Sequence, residues 1–403
     1  MESKKKIKIC FLADKHNLFD DRIYWKMAVP LKERGYEVHY LLIRNKNEKG
    51  ITSEGIHYQI LKIKTFSSNR YLNFILKNLN PNNNYKKLFK RAKELEADIY
   101  HFHDLWINKI GVKLKRLKHK PVVFYDAREP YSDDYKSYTK AIGLLKKVVE
   151  LFAYLVDRWE KLKSKNYDLV ISNEEIVRDN FRTKIGVEKA EVLYNFTDNY
   201  KLFRGVSLEN KKFDFIYSGG ITELRGAFKI LKAVKLAKHN LSNIKVVFVG
   251  SYSPEGLKDK MQGFINTNNL NNNVELHSYV NYNEISNYYN SSKVGLVTLF
   301  KIKTFEVSMP IKVFEYMAFG LPIIGSDFGH IKKYVENENC GLLVDPLSES
   351  EISKAMVKLI QDKELYAELS KNGRKATLER YKWDFELEKL VNYYSKALKK
   401  RNS

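Results

Sequence analysis

The chain has 403 residues, of which 44% are hydrophobic and 30% charged; this excludes a disordered protein and favours two domains of about 150–200 residues each. The net charge of +23 indicates an anionic partner, although a solvated Lys-rich surface would give the same value. Only two cysteines are present, which excludes a disulfide framework and favours a reducing, cytoplasmic compartment. No apolar run is long enough to cross a bilayer.

The first half alternates short apolar strands with helical stretches. This alternation predicts a doubly wound, mainly parallel sheet. A helix is predicted over residues 21–35, ending at Gly35. The predicted strands are 8–13, 37–43, 98–103, 122–126 and 168–172.

The second half starts the same pattern again after a polar linker at residues 197–212. Ligands of open parallel sheets bind at the carboxyl ends of the strands, so functional residues are expected just after strands, in a cleft between two sheets that face each other. The predicted strands are 213–217, 245–250, 274–277, 294–298, 322–326 and 342–344.

The segment 308–327 contains the most informative motif, a loop, a helix and then Gly-Leu-Pro before a buried strand. Pro310 suits the first helical turn, whose free N–H groups can hold a diphosphate. Glu315 lies about one and a half turns further on and can accept two ribose hydroxyls. Taken alone, Glu315 would more often be a solvated residue on an amphipathic helix.

The pattern "S-x-P-x-K-x-x-E-Y-M-A-x-G-x-P-I-I" over residues 308–324 resembles the retaining GT-B glycosyltransferases of family 4. The resemblance extends over nearly the whole chain. It implies that Glu315 binds the donor ribose and that the segment before it binds the donor phosphates. The residues implied in phosphate binding are Ser308, Ile311, Lys312 and Val313.

A second match, residues 217–226, resembles the family's glycine turn followed by a basic residue and Gly. Gly219 and Gly220 would let the backbone approach the donor, and Arg225, with Lys312, would neutralise the departing diphosphate. A surface arginine on an ordinary strand-turn-helix is the alternative. In the loop after the strand at 274–277, the resemblance places Val280 against the nucleotide base.

Three motifs of the first half also resemble the family, and one departs from it. They are "D-x-R-I" at 20–23, "H-x-H-D" at 101–104 and "Y-D-x-H-E" at 125–129. In the third, Arg128 replaces a histidine that the family places near the sugar and the reaction centre. Because arginine is not a base at neutral pH, Arg128 is predicted to hold a hydroxyl or phosphate in the catalytic region.

The resemblance implies a GT-B fold with an acceptor domain at 1–200, a nucleotide-sugar domain at 201–382 and a last helix, 383–403, that packs back on the first domain. It implies a retaining, metal-independent transferase in cell-surface polysaccharide synthesis, with the nucleotide-sugar as substrate and no cofactor. The alternatives are a non-catalytic GT-B subunit that binds a nucleotide-sugar or glycan, and a sugar-nucleotide epimerase. Nucleic acid is not an expected partner, because no recognised motif accompanies the charge.

Residues 61–120 hold 15 Lys or Arg against 4 Asp or Glu. Apolar residues at 71–76 lie near Lys86, Lys87 and Lys90. This composition predicts that the first domain docks peripherally on an anionic membrane face and uses a glycan or lipid-linked acceptor. The alternative is a solvated basic face beside an ordinary core helix.

Overall fold

The computed structural model describes residues 6–62, 82–128, 143–281 and 284–403. The chain divides into two compact units. Unit 1 contains Met1–Tyr194 and Glu386–Ser403, and unit 2 contains Asn195–Phe385. The divisions fall within six residues of the boundaries expected at 200 and 382.

Unit 1 contains an eight-stranded sheet with the strand order β3-β4-β2-β1-β5-β6-β7-β8. All pairings are parallel except that of β3 with β4, a polar hairpin at the sheet edge that the apolar pattern did not predict. The strands are β1 Lys8–Ala13, β2 Glu37–Arg44, β3 Glu48–Ile51, β4 His57–Lys62, β5 Ile99–His103, β6 Val122–Ala127, β7 Leu169–Ser172 and β8 Ala190–Val192.

The helices of unit 1 lie between these strands. The helix expected at 21–35 begins with a π-helical stretch, Asp21–Ala28, whose first N–H groups are capped by the Asp20 side chain. The α-helices that follow are α1 Val29–Glu33, α2 Asn82–Leu95, α3 Asn108–Lys115, α4 Leu144–Ser164 and α5 Glu175–Ile185.

Unit 2 contains a six-stranded sheet, parallel throughout, with the order β11-β10-β9-β12-β13-β14. From β9 the chain adds β10 and β11 on one side of the sheet, and it then adds β12, β13 and β14 on the other side. The point between β9 and β12 is therefore a topological switch point, where ligands of open α/β sheets bind. The strands are β9 Phe213–Ile221, β10 Val246–Tyr252, β11 Val274–His277, β12 Ser292–Val297, β13 Ile323–Ser326 and β14 Gly341–Val344.

The helices of unit 2 cover its sheet. The helix that contains Tyr316 lies close to β12 at Gly295, because a Cβ on this glycine would lie 2.2 Å from the Tyr316 ring. The helices are α6 Ala227–Ala237, α7 Leu257–Thr267, α8 Ile285–Asn290, α9 Lys303–Val307, α10 Ile311–Ala318, α11 Gly329–Asn337, α12 Glu349–Gln361 and α13 Lys363–Arg380.

The last helix, α14 Trp383–Asn402, begins in unit 2 and continues in unit 1. Its part in unit 1 belongs to that unit's core: Leu390 and Tyr394 are fully buried. The Tyr394 hydroxyl lies 2.6 Å from His101 Nδ1 of β5. Within the described ranges, no helix combines the length and the apolar character needed to cross a membrane.

Candidate active site

The carboxyl end of β9 forms the first part of the site in unit 2. Gly219 has a φ of +95°, a left-handed conformation that glycine adopts without a Cβ penalty. Two residues after Gly220, Thr222 caps the turn, since its hydroxyl oxygen accepts the N–H of Arg225 at 3.2 Å. The turn therefore fixes the backbone from which Arg225 projects.

Lys312 of α10 lies beside this turn. A Cβ on Gly219 would lie 3.1 Å from Lys312 Cε, and Nζ lies 3.8 Å from the centroid of the Tyr217 ring. The amine is buried and has no hydrogen-bond partner among the described residues. Burial, together with the nearby Arg225 cation, holds the pKa of Lys312 well below its usual value. An anion at this point would supply the missing partner.

Arg225 lies on the other side of the same turn. A Cβ on Gly220 would lie 3.6 Å from a terminal guanidinium nitrogen, and the guanidinium carbon lies 5.3 Å from the centroid of the Phe305 ring. The structure therefore places two basic side chains, Arg225 and Lys312, against the two glycines of the turn. Such an arrangement suits a ligand with more than one negative charge.

Glu315 is one turn further along α10 and is held by a chain of hydroxyl groups. The Tyr289 hydroxyl donates to Glu315 Oε2 at 2.9 Å and lies 3.0 Å from Ser218 Oγ. The Tyr316 hydroxyl is 3.1 Å from the same Oγ and accepts the Ser218 N–H at 3.1 Å. The network orients a half-buried carboxylate beside the end of β9, where it can accept hydroxyl donors.

The start of α10 is tighter than the sequence predicted. The N–H of Ile311 donates to Met309 O at 3.0 Å, and that of Val313 donates to Pro310 O at 2.9 Å. The Ser308 hydroxyl donates to Thr304 O at 2.6 Å. Ile311 and Val313 therefore do not present free donors, because a narrow first turn uses both N–H groups. Their role in phosphate binding stays a prediction that requires these bonds to open.

Val280 is half-buried in the loop that follows β11, beside the exposed Tyr279. The next helix along the chain, α8, supplies the Tyr289 that contacts Glu315. Contact between Val280 and a base stays a prediction.

Arg128 in unit 1 follows β6 and joins polar residues that follow β1 and β5. Its Nη1 lies 3.1 Å from both ring nitrogens of His16 and 3.4 Å from Asp20 Oδ1. His16 also lies 3.2 Å from Asp104 Oδ1 and 2.9 Å from Asp20 Oδ2. The arginine thus belongs to a cluster at the carboxyl edge of the first sheet, which is the edge where parallel sheets bind ligands.

His16 gives the folding of unit 1 a pH dependence. Burial lowers the pKa of His16, but the hydrogen bonds to Asp104 and Asp20 outweigh it and raise that pKa to about 9. Since this exceeds the unfolded value of about 6.5, the stability is fully present below pH 6.5 and is lost as pH rises through 9. We expect His16→Gln to remove about 2 kcal/mol of stability at pH 6 and little at pH 10. Urea denaturation of the wild type and the variant between pH 6 and pH 10 measures this loss of stability. A loss that does not change with pH would contradict the prediction.

A second buried cluster lies behind the first. Arg22 and Asp126 are both inaccessible to solvent, with Nε 3.0 Å from Oδ2, and Arg22 Nη2 also donates to Leu193 O at 2.9 Å. His103 Nδ1 lies 3.4 Å from Asp126 Oδ2, and the His101 and His103 rings are stacked. The two histidines and Asp126 are close enough to share a metal ion, but the Arg22 cation already neutralises the carboxylate.

Sequence reasoning missed several residues of these clusters. Tyr289 and His16 stand outside the matched motifs. Tyr217 and Ser218 lie inside a matched motif but received no role. Tyrosines near an expected carboxylate are the only signal that could have pointed to Tyr289. The apolar residues at 71–76 and Glu129 lie outside the described residues.

Two α/β units with parallel or mainly parallel sheets are the architecture of GT-B glycosyltransferases. The family model "Glycosyl transferases group 1" matches residues 199–376, and "Glycosyltransferase Family 4" matches residues 23–199. The chain belongs to these glycosyltransferases, as the motifs predicted.

Relatives of known sequence agree with this assignment. An uncharacterised glycosyltransferase of Methanocaldococcus jannaschii is 22% identical over 75% of this chain and 76% of its own length. The capsular polysaccharide biosynthesis glycosyltransferase CapM of Staphylococcus aureus is 24% identical over 72% of this chain and 74% of its own.

Solved structures share the fold. Sucrose-phosphate synthase from Thermosynechococcus elongatus matches with a TM-score of 0.71 and 15% identity, over 97% of this chain and 99% of that one. HepE from Anabaena, solved in complex with UDP and glucose, matches with a TM-score of 0.70 and 16% identity, over 97% of this chain and 100% of that one.

Proposed function

We propose that the protein is a retaining, metal-independent transferase that moves a sugar from a nucleoside-diphosphate sugar to a glycan or lipid-linked acceptor in cell-surface polysaccharide synthesis. One observation carries the proposal: the buried amine of Lys312, which has no hydrogen-bond partner among the described residues, lies beside Arg225 and the glycine turn. A diphosphate fits this place because it would accept from both cations. HepE in complex with UDP-glucose supports the donor class, and CapM supports the polysaccharide role.

In this proposal Arg225 and Lys312 stabilise the diphosphate as the bond to the anomeric carbon breaks and its electron pair moves to the phosphate oxygen. The acceptor hydroxyl bonds to the same face of that carbon, and its proton leaves to the departing oxygen. Glu315 accepts the ribose hydroxyls, and Arg128 holds a hydroxyl or phosphate near the reaction.

The expected location is the cytoplasmic face of a membrane, because an anionic surface complements the basic residues at 61–120.

Incubation with UDP-, GDP-, ADP- and dTDP-sugars, followed by measurement of nucleotide release, tests the proposal. Release from one of these donors, stimulated by an acceptor, is the expected result.

A second candidate is a non-catalytic subunit, favoured by Arg128 at the position of the family's histidine. That candidate predicts nucleotide-sugar binding in calorimetry without release by any donor.

Glu315→Ala is expected to weaken nucleotide binding by about 10–150-fold, since hydrogen bonds to a charged group contribute about 1.5–3 kcal/mol. Calorimetry with the nucleotide of the active donor measures the loss. Glu336→Ala, at an exposed glutamate of α11, is the matched control and should bind normally. Unchanged affinity in a folded Glu315→Ala variant would refute the assignment.

A further inference from the structure

The outer face of α4 carries a group of exposed apolar side chains. Four of them follow one line along the helix at spacings of 3, 4 and 7 residues, and each exposes more than half of its surface. They are Val148, Leu151, Leu155 and Leu162. Phe152 and Tyr154 flank this line and are also exposed. We call this surface the α4 stripe.

The opposite face of α4 is anchored in unit 1. Val156 is buried and packs in a small cluster with Leu105, beside Trp106 and Trp159. Glu160 is buried too and accepts from the Tyr125 hydroxyl. The helix is therefore fixed by its inner face, and the four apolar residues in line on its outer face lie outside the core clusters of the described residues.

Basic residues border the α4 stripe on one side. Lys147, Arg158 and Lys165 are exposed and separated by 11 and 7 residues, which places them along one edge of the helix. Lys146 is exposed as well, and Glu150 is the exposed acidic residue of the helix. Helices with an apolar stripe bordered by Lys and Arg lie in the plane of an anionic lipid interface.

We propose that the α4 stripe is a membrane-docking surface that inserts its apolar side chains between anionic lipids. This deepens the membrane location of the proposed function and assigns it to α4 rather than to residues 61–120. A helix of 21 residues is about 30 Å long, so it presents its whole stripe to a flat surface at once. The four exposed cations against one carboxylate favour an anionic surface over a second copy of this chain, which would bring like charges together.

The neighbouring helices add charge to the same layer. Helix α2 packs on α3, and α3 packs on α4. Lys86, Lys87 and Lys90 of α2 are exposed. Exposed basic residues of the segment 61–120 therefore also occur two helices away from the α4 stripe, which carries the apolar side chains.

Flotation with vesicles of phosphatidylcholine, alone or with phosphatidylglycerol, tests the proposal on the whole chain at low salt. The wild type should float only with the anionic vesicles. Leu151→Ser, Leu155→Ser and Leu162→Ser together should lower binding by at least about tenfold. The matched control replaces Ile51, Ile176 and Val187, three exposed apolar residues of unit 1 outside α4, by serine and should bind as the wild type.

A charge variant tests the basic edge independently. Lys147→Gln, Arg158→Gln and Lys165→Gln together should weaken binding by about 100-fold, since each basic residue near such a surface strengthens binding about fivefold. Replacing Lys260, Lys354 and Lys371 of unit 2 by glutamine removes the same charge elsewhere and should have little effect.

Insertion itself can be observed with Leu155→Trp. Brominated phosphatidylcholine in the anionic vesicles should quench its fluorescence. Vesicle binding that survives the serine changes would overturn the role of α4 while leaving a membrane location intact. A change from dimer to monomer on serine substitution, measured without vesicles, would assign the stripe to a second copy instead. Nucleotide release by the same variants in solution reports separately on the proposed transfer.

Discussion

Arg225→Ala is expected to lower kcat by about 100–1,000-fold, with a much smaller change in donor affinity. The guanidinium lies at the glycine turn beside Lys312, where the proposed mechanism places the growing negative charge of the departing diphosphate. Removing one preorganised donor from such a position costs about 2.7–4 kcal/mol of transition-state stabilisation. Steady-state kinetics with the active donor measure kcat and KM separately.

Two further variants sharpen this test. Arg225→Lys keeps the charge but loses the planar donors, so it should recover part of the rate. Lys235→Ala removes an exposed cation from α6, the next helix, and should leave kcat unchanged. A rise in KM with an intact kcat would place Arg225 in ground-state binding instead.

Arg22→Ala is expected to destabilise unit 1 by about 3–5 kcal/mol, because it removes the arginine cation that compensates the buried carboxylate of Asp126. Burial raises the pKa of Asp126, but Arg22, together with His103 and His101, outweighs it and holds that pKa below its usual range. The carboxylate of the variant can escape its burial cost by protonation, so the loss should be largest at neutral pH and smaller in acid.

Urea denaturation followed by tryptophan fluorescence measures this loss. Trp25, Trp106 and Trp159 lie in unit 1 and report its unfolding. Arg178→Ala is the matched control. Arg178 Nε lies 2.8 Å from Oδ1 of Asp179, which is exposed. Removing this surface ion pair should therefore cost less than about 1 kcal/mol of stability. Equal urea midpoints for Arg22→Ala and Arg178→Ala would mean that the buried ion pair contributes no more to stability than the surface pair.

Apolar strands and helix signals in the sequence predicted the architecture well, because buried parallel strands are near-continuous apolar runs. The strands of unit 2 were all predicted, and β9 and β10 extend further than expected. The hairpin of β3 and β4 was missed, since its edge strands are polar and lack the apolar run of a central strand.

The candidate site was predictable only where it follows a local motif. Gly219, Arg225, Lys312 and Glu315 lie in motifs whose resemblance to the family implied their chemistry, and the structure brings them to one end of β9. The bond between Tyr289 and Glu315 joins residues 26 apart. The contact between His16 and Arg128 joins residues 112 apart. Periodicity carries no information about such pairings, which depend on how strands are ordered in the sheet.

The division of the chain also has a consequence for biosynthesis. Unit 2 is one uninterrupted segment, whereas unit 1 needs Glu386–Ser403, which is synthesised after the whole of unit 2. Leu390 and Tyr394 belong to the core of unit 1, so that core stays incomplete until this segment has been synthesised. Domains usually fold in the order of their synthesis. Here the second unit can reach its native state first, and the first unit is completed after it.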